Sequence, residues 1–469
     1  MFDFKTIQEG IAIRDPNLPS DVLASKQFQT LVELLGEGEI EGFPSATGSQ
    51  GSTEYNTGSL KDVFLNGVQV LQQSASNTNP TDEDFNFQNI TFQPRFGTSS
   101  QSHVEGITSS ESETAVGVAV TKSTPVSRTV TDSNVDAVRV TLGFPSLQKF
   151  EDNGDINGAE VAINIQTIEN DGTTTTVITD TVKGRTASTY FRDYKITFSS
   201  GTSFPVVIRV NRTTDDSTET TLQNASIWSS ITEQISETRS YANTAHVALR
   251  FDAETFPSQP RRMYRVRGTK IKIPHNATVR TDGSLSYSGT FNGTFKTDKA
   301  WTNDPAWILY DLLTTSKGFG DQIDTSQLDV FSFYSASVYS AEQVDDGFNG
   351  FEPRFTCNVV IQNQKQAYSL INDLCSVMRV MPFYSAGTIS ITQDRPTDAS
   401  YLFNLSNVTE GGFSYTNSAK TTKFTVVNVA YFDNDTQQIE YETVEDTALQ
   451  AKYGVVTKNL RGFATTSRG

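Results

Sequence analysis

The sequence predicts a β-dominated α+β protein that is built from several domains. Apolar residues alternate with polar ones at 135–144, 161–165 and 206–210, which is the period of half-buried strands. Turn-forming runs at 153–158 and 170–172 separate these strands. Apolar residues at helical spacing occur only beyond residue 300. A chain of 469 residues also exceeds one ordinary domain, and its length favours about three.

The first predicted domain covers residues 1–123 and consists of a polar arm followed by strands. Pro16 and Pro19 keep the arm extended. Residues 44–58 are rich in Ser, Thr and Gly, so we expect a mobile surface loop there. Residues 61–71 predict a β-hairpin, because an Asn-Gly pair between two apolar segments supplies the positive φ angles of a type I′ turn.

Three further domains are expected after residue 123. Regularly spaced strands with marked turns predict an inserted β-sandwich at 124–227. A β-rich continuation is expected at 228–320, and an α+β domain at 321–469.

Three helices are predicted in the last third of the chain. Asp304 is a cap residue and Pro305 fits the first turn, so a helix begins there. Asp324 or Thr325 caps a second helix. The third is expected at about 364–380, where apolar residues recur at three-four spacing.

The charge and the cysteine content restrict the classes of function. A net charge of −17 disfavours a protein whose main task is to grip phosphate backbones. Cys357 and Cys375 are expected as buried free thiols. The opening residues are acidic, and no stretch reaches the ~20 apolar residues of a membrane helix. We therefore expect a chain that is made in a reducing cytoplasm and does not insert into a membrane.

No residue pattern predicts a cofactor or a metal site. His103, His246 and His275 lie far apart in the sequence, away from the spacing of metal ligands. Residues 153–158 resemble the start of a calcium loop, but Asn164 stands where the closing acid belongs. We therefore expect a hairpin turn at 153–158.

Two clusters leave a second function open. Asp345, Asp346 and Glu352 lie around two glycines. They could bind a cation or act as the acid/base pair of a cell-wall hydrolase, whereas a solvated loop after the second helix is the simpler interpretation. A glycan-binding adhesin would need exposed aromatic rings beside a carboxylate. The sandwich offers four such residues, for which strand packing is the simpler interpretation: Tyr190, Phe191, Asp193 and Tyr194.

A run of basic residues is the one polarised feature of this acidic chain. It has no acidic residue from Thr255 to Thr281. Its members are the candidate assembly-interface residues Arg261, Arg262, Arg265, Arg267, Lys270 and Lys272. Such a run predicts contact with an acidic neighbouring subunit or with passing DNA, and a plain solvated sheet face is the alternative.

Motifs spread in order along the chain resemble the tip attachment protein J family of lambda-like tailed phages. The C-terminal motifs are WTNDPAWILYDLLT at 301–314, DDGFNGFEPRFTCN at 345–358, AYSLINDLCSVMRVMPF at 367–383 and QDRP at 393–396. The upstream motifs are GEGEIEG at 36–42, VKGRTASTYFRDY at 182–194, RTTDDST at 212–218, LQNASIWSSITEQI at 222–235 and YANTAHVALRFDAETF at 241–256.

This resemblance implies a virion structural protein without enzymatic activity or a cofactor. It implies a homotrimeric hub with barrel-like ring domains at the tail tip, assembled in the host cytoplasm. The implied partners are the distal tail and tube-end proteins, the C-terminus of the tape-measure protein and other tip proteins. DNA would pass through the channel without sequence-specific binding. The sequence ends at Gly469 inside a motif that continues in the family, so we expect the hub portion without its receptor-binding modules.

Overall fold

The computed structural model describes residues 7–11 and 26–469, apart from 364, 386, 410, 417–422 and 435. It divides into two compact units, Met1–Arg267 and Gly268–Gly469. Strands dominate both units, so the β-dominated α+β prediction is confirmed. Pro16 and Pro19 of the predicted arm lie outside the described residues.

The first unit is almost entirely β-structure. Its strands in chain order are β1 Ile7–Ile11, β2 Lys26–Glu37, β3 Ile40–Gly42, β4 Val63–Leu65, β5 Val68–Gln69, β6 Thr91–Phe96, β7 Thr108–Ala119, β8 Val126–Val130, β9 Ala137–Phe144, β10 Gln148–Phe150, β11 Ile156–Asn157, β12 Ala159–Ile168, β13 Thr174–Gly184, β14 Tyr190–Thr197, β15 Val206–Arg212, β16 Leu222–Gln223, β17 Ile227–Ser236, β18 Thr244–Asp252 and β19 Arg262–Tyr264. The helical elements are α1 Thr53–Ser59 and the 3₁₀ turns Leu60–Asp62 and Asp82–Asp84. Strand β20, Arg267–Thr269, follows at the boundary between the units.

The first unit contains a four-stranded antiparallel sheet in the order β1-β2-β18-β6, which we call the base sheet. Strands β6 and β18 are neighbours in this sheet, with Phe96 opposite Ala245, although more than a hundred residues separate them in the chain. Those residues form the predicted inserted sandwich. The two ends of the insertion meet, because the Glu237 N–H donates to the Ile107 carbonyl over 2.7 Å.

The sandwich consists of two four-stranded sheets, β13-β12-β15-β8 and β14-β9-β17-β7. Alternate side chains of both sheets fill one apolar core, in which Trp228, Val140 and Ile163 are almost completely buried. The prediction of a sandwich is confirmed, and its strands extend beyond 124–227 at both ends. The sequence does not predict strand β7, because its residues TSSESETAVGVA are mostly exposed and show little alternation of apolar and polar side chains.

The predicted hairpin is confirmed, whereas the loop predicted before it contains a helix. Asn66 and Gly67 have φ angles of 53° and 84°, as a type I′ turn requires. Within 44–58, helix α1 begins where the Ser52 hydroxyl accepts a hydrogen bond from the Tyr55 N–H over 3.1 Å. The buried Tyr55 hydroxyl accepts in turn from the Phe43 N–H over 3.0 Å. This contact across twelve residues is not visible in a sequence rich in Ser and Gly.

Where the structure describes it, the second unit contains the remaining strands and four helices. The strands are β21 Ala277–Val279, β22 Leu285–Tyr287, β23 Gln343–Asp345, β24 Phe351–Pro353, β25 Val380–Ser385, β26 Thr388–Gln393, β27 Val426–Asp433, β28 Gln438–Glu445 and β29 Thr457–Arg461. The helices are α2 Pro305–Thr314, α3 Val330–Ser340, α4 Ala367–Val377 and α5 Thr447–Tyr453, with a 3₁₀ turn at Thr325–Gln327.

The predicted helix starts are partly confirmed. Asp304 caps α2, and its Oδ1 accepts hydrogen bonds from the N–H groups of Ala306 and Trp307. Asp324 caps only the short 3₁₀ turn, and α3 begins later, at Val330, with Asp329 as its cap. The third helix, α4, is shorter than predicted, and residue 364 at its expected start lies outside the described residues.

Helices α2, α3 and α4 share one aromatic-rich core. Trp307 and Phe333 are fully buried in it. Cys357 and Cys375 are buried free thiols, as predicted. Burial raises the pKa of Cys357 to about 12 and the pKa of Cys375 to about 11, so both thiols stay protonated at neutral pH.

The barrel-like ring domains that the resemblance implies are not formed in the described chain. Its sheets contain between two and four strands each, and none of them closes on itself. Among the helices that the structure describes, none is both long and apolar enough to span a membrane.

Candidate functional site

The basic segment, residues 261–272, begins on β19 beside the hairpin formed by β4 and β5. Arg262 pairs with Leu65 across the two strands. The Asn66 N–H donates to the Arg261 carbonyl over 2.7 Å, and the Arg261 N–H donates to Asn66 Oδ1 over 2.9 Å. The turn of the hairpin therefore holds the start of the basic segment.

Arg262 has its counter-charge inside the first unit. Its Nη2 lies 2.7 Å from Glu33 Oε1, and the Tyr264 hydroxyl donates to the other oxygen of Glu33. The hydrogen bond to Glu33 raises the pKa of Arg262, and burial raises the pKa of Tyr264. Arg262 and Tyr264 thereby fasten β19 to β2.

Arg265 is the partner of a buried carboxylate. Its Nη2 lies 2.7 Å from Asp62 Oδ1, and the Asp62 side chain is 0% exposed. The N–H and hydroxyl of Ser45 also donate to Asp62, over 2.7 and 2.9 Å. The Asp62 charge is therefore compensated by one guanidinium and two hydrogen bonds, as a buried charge requires.

We expect the substitution Arg265→Ala to lower the free energy of unfolding of the first unit by about 2 kcal/mol. Breaking a buried ion pair costs about 3–5 kcal/mol because it leaves a charge unpaired, and the partial exposure of Arg265 reduces that cost. Urea unfolding would measure the change. Arg261→Ala, which removes an exposed side chain, is the control, and equal losses from both variants would contradict the prediction.

The other basic residues divide between exposed and partnered positions. Arg261 and Lys272 are exposed. Arg267 and Lys270 are partly buried and are engaged with other groups. With Arg262 and Arg265 used in internal ion pairs, an assembly contact of the whole segment stays a prediction.

An exposed apolar segment in the second unit was missed in the sequence. The described residues of 401–415, which leave out residue 410, have neither helix nor strand, and they lie between β26 and β27. Its large side chains face solvent: Tyr401, Leu402, Phe403, Leu405, Phe413 and Tyr415. Leu405 and Tyr415 are 79% and 88% exposed. The dense run YLFNL without helical or strand period was the available signal.

A second apolar surface lies on the sheet β28-β27-β29. Ile439 pairs with Phe432, and Tyr441 pairs with Ala430, so the four side chains share one face. Ile439 and Tyr441 are 55% and 72% exposed. Isolated exposed apolar residues are ordinary in soluble proteins, but contiguous ones usually mark an interaction surface.

The carboxylates of the acidic cluster at 345–352 are used in hydrogen bonds, mainly within the turn that joins β23 and β24. The Asp346 carboxylate accepts hydrogen bonds from the N–H groups of Phe348 and Gly350, and these bonds lower its pKa. Glu352 accepts from the Ser467 hydroxyl. The predicted loop is therefore the turn between β23 and β24. Over the part of the chain that the structure describes, no group of three or more His, Cys, Asp or Glu residues could hold a metal ion.

The four sandwich residues considered for glycan binding divide between two faces of β14. Tyr194 is buried, and its hydroxyl donates to Asp180 over 2.9 Å. Asp193 points the other way and accepts from the Thr141 hydroxyl over 2.7 Å. Phe191 is exposed. Strand alternation therefore leaves one exposed ring in place of an aromatic platform.

Comparison with known proteins gives the same family along most of the chain. A family model described as the FNIII-A domain of tip attachment protein J matches residues 110–237. The tip attachment protein J of Escherichia phage SECphi27 is 35% identical over 412 residues, which cover 87% of this chain and 33% of that protein. That of Escherichia phage SECphi4 is 32% identical over 418 residues, which cover 89% of this chain and 35% of that protein.

The chain belongs to the tip attachment protein J family. Its sandwich strands, from Thr108 to Ser236, coincide with the FNIII-A match. The chain spans about a third of the length of these two relatives. The name of the family places its members in the tip of the phage tail.

Likeness to solved structures adds nothing to this assignment. A carbohydrate-binding module of Cel9A from Ruminococcus flavefaciens is 10% identical, covering 27% of this chain and 98% of that one with a TM-score of 0.20. The ANX2 ectodomain from Arabidopsis thaliana is 11% identical, covering 50% of this chain and 89% of that one with a TM-score of 0.17. Scores below 0.5 carry no argument about fold or function.

Proposed function

We propose that this chain is a structural hub of a long-tailed phage tip, which assembles as a homotrimeric ring. In this role it joins the tail tube to the tip, closes the DNA channel before infection and supports attachment and DNA ejection. Its partners would be the tube-end proteins, the tape-measure protein and other tip proteins. It would have no enzymatic activity and no membrane-inserted part.

The exposed apolar surface of the second unit is the observation that carries this proposal. Leu402 and Leu405, with the neighbouring rings of 401–415, would be exposed to water in a single chain. Exposed apolar area of this kind is stabilised when a partner covers it. Obligate assemblies bury such surfaces, and their interfaces resemble a domain core that has been cut in two.

The acidic charge of the chain suits a channel for DNA. A net charge of −17 repels phosphate backbones, so DNA can pass without tight binding. Arg262 and Arg265 already have carboxylate partners inside the first unit, which further reduces the positive charge available to DNA.

We expect Leu405→Asp to weaken self-association of the chain by about thirtyfold. A charge in the centre of an apolar interface costs about 2 kcal/mol or more. The fold should be unaffected, because the Leu405 side chain is 79% exposed. Sedimentation equilibrium over a concentration series would measure the dissociation constant.

Phe191→Asp is the matched control, because it introduces the same charge at an exposed ring of the sandwich. It should leave self-association unchanged. Electron microscopy of intact tails would then test the position of the hub. A chain that stays monomeric at all concentrations, or that lies away from the tail axis, would exclude a trimeric hub.

A further inference from the structure

A polar recess lies in the first unit, on the segment that the sequence predicted as a loop. Its volume is about 500 Å³. It is lined by Ser45, Thr47, Glu54, Lys61, Gln73, Ala75, Asn77 and Thr78. Helix α1 forms one wall, and Gly58 lets it approach closely, since a Cβ there would stand 2.7 Å from Asn77 Nδ2. The recess is therefore a product of local packing.

Lys61 brings a buried positive charge to this recess. The residue is only 7% exposed. Its Nζ donates one hydrogen bond, to the Ala75 carbonyl over 2.5 Å. No carboxylate among the described residues lies within ion-pair distance of it, and the adjacent Asp62 is already paired with Arg265. Two N–H donors of a nearly buried ammonium thus remain for a ligand.

Asp84 is near enough to Lys61 for the positive charge to lower its pKa, but it does not form an ion pair with Lys61. The hydrogen bonds from Thr81 lower the pKa of Asp84 most, and the charge of Lys61 contributes less. The Asp84 Oδ2 accepts from both the N–H and the hydroxyl of Thr81. A buried charge without a partner is costly, so an anionic group from outside the chain would stabilise the site.

The other residues that line the recess offer hydrogen-bond acceptors and an amide group, which a negative charge alone would not satisfy. Glu54 uses Oε1 to accept from the Thr47 hydroxyl over 2.7 Å, and its other oxygen is left as an acceptor. The Asn77 amide is oriented by donating to the Ser45 carbonyl and to Thr47, over 3.1 and 2.8 Å. Ala75 is the single apolar lining residue. A ligand must therefore offer an anion and hydrogen-bond donors in close proximity.

We propose that this recess binds a saccharide that carries a carboxylate, an acidic sugar. The carboxylate would contact Lys61, and ring hydroxyls would donate to Glu54 and exchange hydrogen bonds with the hydroxyls and amides of the lining. A dianionic phosphate is repelled by Glu54 more strongly than a carboxylate with one charge, and it brings no hydroxyl donors of its own to Glu54. A free amino acid places an ammonium beside its carboxylate in place of several hydroxyls, and an acidic protein side chain has its nearest donors only on the backbone. This inference goes beyond the hub function and does not depend on it.

Saturation-transfer NMR and calorimetry on the full chain would test the proposal. The probes are D-glucuronate, D-galacturonate and N-acetylneuraminate, with D-glucose as the neutral counterpart of glucuronate. We expect at least one acid to bind with a dissociation constant of about 1 mM, and its neutral counterpart at least about tenfold more weakly. Absence of binding by all three acids at about 10 mM would overturn the proposal.

Two variants test the assigned residues. Lys61→Met keeps the length of the side chain and should weaken the acid at least about tenfold, whereas Lys183→Met on the sandwich removes an exposed charge and should have no effect. Glu54→Gln removes a charged acceptor of ring hydroxyls and also a charge that repels the acid, so it should weaken the neutral sugar more than the acidic one. This variant keeps the test valid if the Lys61 variant does not fold. Binding of L-glutamate or of an acidic peptide in place of the sugars would assign the recess to a protein partner and overturn the proposal.

Discussion

Replacing Trp307 with alanine is expected to lower the free energy of unfolding of the second unit by about 3–5 kcal/mol. The side chain is 0% exposed. Its indole Nε1 donates to the Tyr287 hydroxyl over 2.9 Å. Three rings surround it at centroid distances of 6.1, 5.4 and 5.6 Å: Phe291, Phe295 and Tyr310. The truncation would therefore leave a large cavity and remove one hydrogen-bond donor.

Hydrogen exchange measured by mass spectrometry would report this loss locally. Amides of α2 and α3 should exchange faster by the factor that corresponds to the lost free energy, since these helices share the core around Trp307. The sandwich strands belong to the other unit and should keep their protection. Tyr415→Ala, at a side chain that is 88% exposed, should change neither region. Unchanged protection of α2 in the Trp307 variant would contradict the prediction.

The second large effect concerns the buried carboxylate of Asp304. Burial raises its pKa to about 6, against the opposing hydrogen bonds from the Ser337 hydroxyl and two backbone N–H groups. The folded form therefore binds a proton more tightly than the unfolded chain, where an aspartate has a pKa of about 3.9. The stabilisation is fully present below pH ~4 and is lost as the pH rises through about 6. The difference amounts to about 3 kcal/mol.

Asp304→Asn isolates this dependence from that of the other carboxylates. The amide oxygen can still accept from the N–H groups of Ala306 and Trp307, but the side chain no longer titrates. Urea unfolding from pH 4 to 7 should therefore show wild type gaining stability relative to the variant as the pH falls. Asp324→Asn is the control. Hydrogen bonds with Ser326 lower the pKa of Asp324, so this group titrates mostly below this pH range and its variant should differ from wild type by a nearly constant amount across it. A difference between wild type and Asp304→Asn that does not vary with pH would contradict the assignment.

The sequence predicts those features of the fold that depend only on neighbouring residues. The Asn66–Gly67 turn and the Asp304 cap each depend on two or three neighbouring residues, and both are confirmed. The sandwich was visible through strand alternation, but its outer strand β7 was not, because β7 is mostly exposed. Helix α1 was missed because its support, the contact between Tyr55 and Phe43, crosses a stretch that lacks apolar periodicity.

Less of the candidate site could be predicted. The basic segment was evident from composition, but Glu33 and Asp62, which neutralise Arg262 and Arg265, lie about two hundred residues earlier in the chain. No local pattern reveals such a pairing. The buried position of Lys61 was equally hidden, because lysine is ordinarily a surface residue and its burial depends on α1 and on Ala75.

The insertion of the sandwich between β6 and β18 affects the conformational entropy that the first unit loses when these two strands pair during folding. Joining two strands across a long flexible chain costs conformational entropy that grows only with the logarithm of the length. Once the sandwich has formed and the Glu237 N–H has met the Ile107 carbonyl, the effective separation between the two strands is short. Gln101 shortens it further, because its Nε2 donates to carbonyls of Ser240 and Thr244 over 3.0 and 2.9 Å. The base sheet therefore places little constraint on the size of the module inserted into it.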